Sequence, residues 1–171
     1  MADILNYNDV RISDLDSYLF GQGTHYEIYK LMGAHPTKQK GKDGVYFAVW
    51  APRAQEVAVV GDFNGWDPEK NIMKCDNDMG IYQLFIPGVK SGDLYKFCIT
   101  SPSGELLYKA DPYANYAEKR PGNASRVYDI TNFKWNDSVW MKNRQNYDVN
   151  KDAMSIYEVH PGSWRKHPQN E

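Results

Sequence analysis

The carboxylate and imidazole side chains of this sequence do not form a recognisable catalytic set. Asp62 and Asp67 flank an Asn-Gly turn and could act as the carboxylate pair of a glycosidase, but aspartates beside such a dipeptide are typically turn residues. Glu158 and His160 share one face of a predicted strand. They could form an acid–base pair, or they could be orienting residues beside the apolar run. The sequence contains no phosphate-binding glycine loop, nucleophile elbow or metal-ligand spacing. We expect no catalytic residue, no metal and no cofactor here.

Aromatic and basic side chains offer a second kind of chemistry, the binding of carbohydrate. Aromatic residues make up 14% of the chain, an excess that can supply rings to stack on the apolar C–H face of a sugar. Trp66 follows the Asn-Gly turn, where a large ring is hard to bury. Lys96 lies mid-strand between aromatic residues that point to the opposite face. Two interpretations remain open. Trp66 and Lys96 either form part of a carbohydrate-binding surface, or Trp66 covers the edge of the sandwich and Lys96 is an ordinary solvated residue.

Composition excludes several classes of partner. The chain has 20 Lys and Arg against 22 Asp and Glu, so it lacks the basic excess that nucleic-acid binding requires. No apolar stretch approaches the roughly 20 residues of a membrane helix, and the N-terminus does not resemble a signal peptide. Cys75 and Cys98 lack metal or redox spacing, which indicates reduced thiols in a cytoplasmic protein.

Hydrophobic periodicity predicts a mainly β chain, an Ig-like antiparallel β-sandwich over residues 36–131. A short N-terminal helical segment, residues 1–35, precedes it, with Ser13 or Asp14 as the helix cap, and it should pack on the sandwich. Residues 132–153 are polar and are interpreted as a linker, and residues 154–171 begin with an apolar strand. The predicted sandwich strands are residues 45–50, 56–60, 80–86, 94–100, 105–108 and 126–130.

Five segments carry a resemblance to known families. VYFAVWAPRAQEVAVVGDFNGWDP (45–68) resembles the starch- and glycogen-binding module CBM48, which precedes the catalytic barrel in many GH13 enzymes of the α-amylase superfamily. Four more segments, in this order, are similar to 1,4-α-glucan (glycogen) branching enzymes. They are YLFGQGTHYEIYKLMGAHP (18–36), IYQLFIPGVKSGDLYKFCI (81–99), KADPYANYAEKRPGNASRVYD (109–129) and MSIYEVHPGSW (154–164).

The resemblance implies an N-terminal portion of a branching enzyme without its catalytic residues. In that family MSIYEVHPGSW is the first strand of the (β/α)8 barrel, and the catalytic carboxylates lie on later strands. Because a barrel needs about 250 residues, these 171 residues should show no turnover. The parent enzyme would transfer α-1,4-glucan segments to 6-hydroxyl groups and so form α-1,6 branches in glycogen biosynthesis, without a cofactor.

The resemblance also implies a glucan site made of Trp66, Lys96, Tyr108 and Ser125. Trp66 matches a stacking Trp, and Lys96 matches a Lys that meets sugar hydroxyls. Tyr108 stands where relatives have a second stacking aromatic, and Ser125 where they have an Asn. The expected partners are glycogen and malto-oligosaccharides, and the catalytic barrel of the whole protein. Self-association through the orphan C-terminal strand is also expected.

Two other functions stay open. The first is the N-terminal module of a debranching or trehalose-forming GH13 enzyme, although relatives with those activities resemble this chain mainly across the sandwich. The second is a non-catalytic glycogen-sensing regulatory subunit, in which the barrel-strand segment MSIYEVHPGSW would be out of place.

Overall fold

The computed structural model describes residues 12–75, 79–148 and 150–164. The chain forms two compact units, a sandwich unit of residues 1–132 and a C-terminal unit of residues 133–171. The first 11 residues of the expected N-terminal segment and residues 165–171 of the expected barrel start lie outside the described residues.

The sandwich unit consists of two antiparallel sheets, which confirms the predicted fold class. The first sheet has the strand order β1-β2-β5-β4, and the second has the order β3-β6-β9-β8, with β7 also paired to β6. The strands are β1 (Gly33–Gln39), β2 (Lys42–Trp50), β3 (Glu56–Gly61), β4 (Lys74–Cys75), β5 (Ile81–Pro87), β6 (Leu94–Thr100), β7 (Leu106–Lys109), β8 (Tyr116–Ala117) and β9 (Ser125–Arg126).

The main core lies between the two sheets. Alternate residues of β2, β3 and β6 point inward, and Val59 of β3 stands opposite Phe97 of β6 in the register. Phe47 and Tyr95 meet edge to face with their ring centroids 5.1 Å apart, and Tyr95 and Phe97 do so at 5.9 Å. Side chains alternate along a strand, so the residues of β6 that stand next to the inward Tyr95 and Phe97 face outward.

The N-terminal segment covers the outer face of the first sheet. Helix α1 (Asp14–Gly21) begins with a capping box in which Ser13 and Asp16 bond each other's backbone N–H, as the predicted Ser13 cap requires. A 3-10 turn follows at Ile28–Lys30. The second apolar cluster joins residues of this segment (Ile12, Ile28 and Met32) to sheet residues (Tyr46, Ala48 and Ile81).

Strand β1 was not predicted from the sequence. Its residues (GAHPTKQ) lack apolar alternation and include Pro36, which has no N–H to donate. The structure places β1 at the edge of the first sheet, paired only with β2 among the described strands. An edge position tolerates both features, because only one side of the strand needs hydrogen-bond partners.

The C-terminal unit differs from its sequence-based expectation. The polar stretch interpreted as a linker contains helix α2 (Ser138–Arg144), and α3 (Pro161–Trp164) follows near the end. The strand expected at residues 154–159 is not formed, and Ile156 is 86% exposed there. A single strand without a neighbour has no partners for its backbone groups, which explains the irregular conformation. Within the described residues, none of the helices is both long and apolar enough to span a membrane.

Candidate carbohydrate-binding site

The outer face of the second sheet brings together three of the four predicted site residues. Lys96 and Cys98 alternate with the inward Tyr95 and Phe97 and therefore point outward. The register places Cys98 between Ala58 of β3 and Tyr108 of β7. We call the outward face formed by Trp66, Lys96, Tyr108 and the small residues between them the platform.

Trp66 is positioned by a buried asparagine. The Asn64 side-chain Oδ1 accepts the backbone N–H groups of Gly61 at 3.0 Å and of Trp66 at 3.1 Å. Its Nδ2 donates to the Val59 carbonyl at 2.8 Å. Gly65 and Trp66 both have left-handed backbone conformations, with φ of 71° and 63°. This conformation is unfavourable for tryptophan and persists because Asn64 holds the turn from inside.

The Trp66 ring lies on the sheet beside the small residues of the platform. It is half-buried and packs against the cluster of Ala58, Val60 and Cys98. Its indole Nε1–H donates to Asp62 Oδ1 at 3.1 Å. Asp62 therefore orients the ring.

Asp67, the other carboxylate of the candidate pair, belongs to the turn. It accepts the Glu69 backbone N–H at 2.9 Å and lies 3.3 Å from Lys70 Nζ. The bond from Glu69, followed by the contact with Lys70, lowers the pKa of this carboxyl below its ordinary value. Together with the role of Asp62 beside Trp66, these contacts support the turn interpretation rather than a glycosidase pair.

Lys96 forms a hydrogen bond that was not predicted. Its Nζ donates to Oδ1 of Asn123, a residue in the loop before β9. An ammonium group beside a side-chain amide offers several donors and an acceptor to sugar hydroxyls. The resemblance placed Ser125, two residues further on, where relatives have an Asn. It did not indicate Asn123.

Ser125 does not lie on the platform, and its expected role is corrected. Its side chain is only 2% exposed and faces the inter-sheet core, opposite Tyr95 in the register. Its Oγ accepts the backbone N–H of Asp111 at 2.8 Å. The sequence contains a signal for this orientation, because Val127 shares the same face of an alternating segment and is also buried.

Tyr108 stands on β7 directly opposite Cys98 and is 47% exposed. The Cys98 thiol next to Tyr108 is the main cause that raises the pKa of the Tyr108 hydroxyl. Burial raises the pKa of the Cys98 thiol in turn. Both groups are therefore neutral near pH 7, and the Tyr108 ring is available for stacking.

Glu158 and His160, the remaining candidate pair, lie in an irregular segment rather than on the expected strand. His160 lies in the C-terminal unit, where its Nδ1 is 2.9 Å from Ser163 Oγ beside α3. Among the residues that the structure describes, no cluster of three His, Cys, Asp or Glu side chains could hold a metal ion. The side chains of the platform itself offer hydrogen bonding and stacking.

Comparison with known proteins gives the context of this site. Residues 31–114, which include Trp66, Lys96 and Tyr108, match carbohydrate-binding module 48 (isoamylase N-terminal domain). The 1,4-alpha-glucan branching enzyme GlgB of Butyrivibrio fibrisolvens is 60% identical over 159 residues, which is 93% of this chain and 25% of that protein. The enzyme of the same name from Halothermothrix orenii is 51% identical over 154 residues, 90% of this chain and 24% of that protein.

The chain thus spans about a quarter of the length of these relatives. A solved structure of apo pullulanase from Klebsiella pneumoniae aligns with 67% of this chain and 12% of that one, at 26% identity and a TM-score of 0.48. Residues 31–114 thus match the model of the carbohydrate-binding module 48 family, and over nine-tenths of its length the chain is similar to 1,4-alpha-glucan branching enzymes.

Proposed function

We propose that the sandwich unit binds α-glucan on the platform and serves as the glucan-binding and scaffolding module of a branching enzyme. The observation that carries the proposal is the grouping of Trp66, Tyr108 and the Lys96–Asn123 pair on one face of one sheet. The two rings offer stacking surfaces for the C–H faces of sugars, and the polar pair offers hydrogen bonds to their hydroxyl groups.

The spacing of the platform favours an oligosaccharide over a single sugar. Trp66 packs on Ala58 and Val60 of β3 and on Cys98 of β6, whereas Tyr108 belongs to β7 on the other side of β6. Neighbouring strands lie about 4.8 Å apart, so the two rings occupy different places on the sheet, and one sugar ring cannot stack on both. A ligand that contacts both rings therefore needs more than one sugar unit, as glycogen and malto-oligosaccharides have.

The proposed setting of the module follows from its relatives. Proteins that share about half of its residues are named 1,4-alpha-glucan branching enzymes. We therefore propose that the whole protein transfers α-1,4-glucan segments to 6-hydroxyl groups. Among the described residues, Cys75 and Cys98 are not joined in a disulfide, and this supports our proposal of a cytoplasmic location.

The exposed apolar side chains of the C-terminal unit also need an explanation. Ile156, Tyr157 and Trp164 are all more than 60% exposed. We expect them to be covered by the catalytic domain of the whole protein or, in its absence, by a second copy of this chain.

The test of glucan binding is calorimetric titration of the 171-residue chain with maltoheptaose. We expect saturable binding, and we expect Trp66→Ala to raise the Kd by about 30-fold, as the loss of a central aromatic anchor does. Trp50→Phe is the matched control, because Trp50 lies on the first sheet with its Nε1–H bonded to the Met79 carbonyl. A folded chain without saturable binding, or a Trp66→Ala variant with unchanged Kd, would refute the proposal.

A further inference from the structure

A groove with a volume of about 190 Å³ adjoins the platform. Its floor is the outer face of the second sheet, where Ala58, Cys98 and Thr100 lie on neighbouring strands. The turn after Trp66 forms one wall with Pro68 and Glu69. The other boundaries belong to Leu106 of β7 and Glu56 at the start of β3.

The groove and the platform form one continuous surface. Cys98 borders both, since it lines the groove and stands directly opposite Tyr108 in the register. Thr100 and Leu106 stand opposite each other in the register and lie two residues beyond the Cys98–Tyr108 pair. Two residues of a strand span about 6.8 Å, so the groove is the next step along the strand direction.

The lining of the groove matches the two kinds of surface on a sugar ring. Ala58, Pro68 and the 47% exposed Leu106 provide apolar contacts for C–H groups. The carboxylates of Glu56 and Glu69 accept hydrogen bonds from hydroxyl groups, and such charge-assisted bonds are the stronger kind.

The size of the groove suits one ring. A cavity of about 150 Å³ accommodates benzene, so this groove has room for one six-membered ring. A metal ion is the poorer occupant, because the groove presents two carboxylates and no three-ligand group occurs among the described residues.

We propose that this groove is an additional subsite, which binds the glucosyl unit next to those held on the platform. The inference rests on the proposed function, since the platform must bind glucan for the groove to extend it. Its consequence is a dependence of affinity on chain length. A short malto-oligosaccharide occupies the platform alone, whereas a longer one also fills the groove and gains contacts with Glu69 and Leu106.

The experiment compares the Kd of maltotriose and maltoheptaose for the 171-residue chain and for two groove variants, Glu69→Ala and Leu106→Ala. We expect each variant to weaken maltoheptaose binding about fivefold, the effect of one lost contact, and to leave maltotriose binding within about twofold. Glu105→Ala is the matched control, because Glu105 is an exposed glutamate outside the groove lining. Thermal unfolding of each variant checks that it is folded.

A second measurement needs no substitution. In the unaltered chain, maltoheptaose should shift the methyl NMR signals of Thr100 and Leu106, and maltotriose should shift them much less. If both sugars bind with equal affinity and these methyl signals do not move, the groove subsite is refuted while the platform stands. If no malto-oligosaccharide binds a folded chain, the proposed function fails, and the groove subsite fails with it.

Discussion

Tyr95 and Asp111 form a buried hydrogen bond inside the sandwich, and we predict that Tyr95→Phe destabilises the fold. The Tyr95 hydroxyl donates to Asp111 Oδ2 at 2.6 Å, and the two residues are only 1% and 6% exposed. The second carboxylate oxygen, Oδ1, accepts the backbone N–H of Tyr113 at 2.8 Å. Removing the hydroxyl leaves the buried carboxyl with one bond fewer.

The magnitude follows from what the substitution keeps and what it removes. Phenylalanine keeps the ring that packs edge to face against Phe47 and Phe97, so the hydroxyl and its bond are the main loss. A hydrogen bond to a charged group contributes about 1.5–3 kcal/mol, and a bond between neutral groups about 0.5–1.5 kcal/mol. We therefore expect a loss of about 2 kcal/mol in the free energy of unfolding where Asp111 is ionised.

The loss in the free energy of unfolding caused by Tyr95→Phe should grow with pH. Burial is the largest influence on Asp111 and raises the pKa of its carboxyl above the ordinary value, while the Tyr95 and Tyr113 hydrogen bonds lower it in part. A carboxyl with a raised folded-state pKa contributes stability that is fully present below its unfolded pKa. That stability is lost as pH rises through the folded pKa. Tyr95→Phe removes one of the lowering influences, so the pKa of Asp111 rises further and the variant loses more stability at high pH.

The assay is urea unfolding of the variant and the unaltered chain at about pH 4 and about pH 7.5. Tyr82→Phe is the matched control, because the buried Tyr82 hydroxyl donates to a neutral acceptor, the Ala54 carbonyl, at 3.0 Å. We expect the control to cost about 1 kcal/mol at both pH values. The reasoning would be refuted if Tyr95→Phe cost no more than Tyr82→Phe and showed no dependence on pH.

Three further predictions concern other parts of the sandwich unit. Burial lowers the pKa of His35 below its ordinary 6.5, so the stability that neutral His35 contributes is present above pH 6.5 and is lost as pH falls through its folded pKa. His35→Gln should therefore reduce the drop in Tm between about pH 7.5 and about pH 5. Asn123→Ala should weaken maltoheptaose binding with little change in Tm. By contrast, Ser125→Ala should lower the free energy of unfolding by about 1–3 kcal/mol without weakening binding at neutral pH. Gly44→Ala should lower that free energy by about 1–3 kcal/mol in urea unfolding, because the added Cβ would lie 2.3 Å from the Ile86 carbonyl oxygen.

Each of these predictions has a contradicting result. An unchanged pH dependence of Tm in His35→Gln would mean that another group controls acid sensitivity. A Ser125→Ala variant that keeps its stability and loses sugar affinity would restore the sugar-contact role of Ser125. A Gly44→Ala variant as stable as the unaltered chain would show that β2 and β5 can separate at this point without cost.

The longer strands of clear alternation and the turn chemistry could be predicted because their signals are local, whereas the strand expected at residues 126–130 is only the short β9 and the short strands β4 and β8 were missed. Strand β6 occupies residues 94–100, as alternation predicts, since its inward aromatic residues and outward Lys96 give a clear period of two. The Asn-Gly turn before Trp66 was also evident from its two residues. Strand β1 escaped prediction because its partner strand β2, rather than its own residue pattern, stabilises it.

The grouping of residues at the candidate site could be predicted only in part. Residue type and the family resemblance together singled out Trp66, Lys96 and Tyr108. Each of them lies on or beside a strand whose alternation of apolar residues can be recognised in the sequence. Asn123 lies 27 residues from Lys96 in a loop, where no period indicates which way a side chain points. The resemblance therefore assigned the position of the relatives' Asn to Ser125, and the structure shows that Ser125 and Val127 are both buried.

The groove depends entirely on long-range register. Glu56, Glu69 and Leu106 come from two strands and a turn that are distant in the sequence, and no short motif connects them. Side-chain period and turn type arise from interactions between residues a few positions apart, so the sequence alone reveals them. Which outward residues become neighbours depends on how strands pair and how the turn after Trp66 crosses the sheet. These features are set by the packing of the whole core, and for that reason only the folded chain brings the groove together.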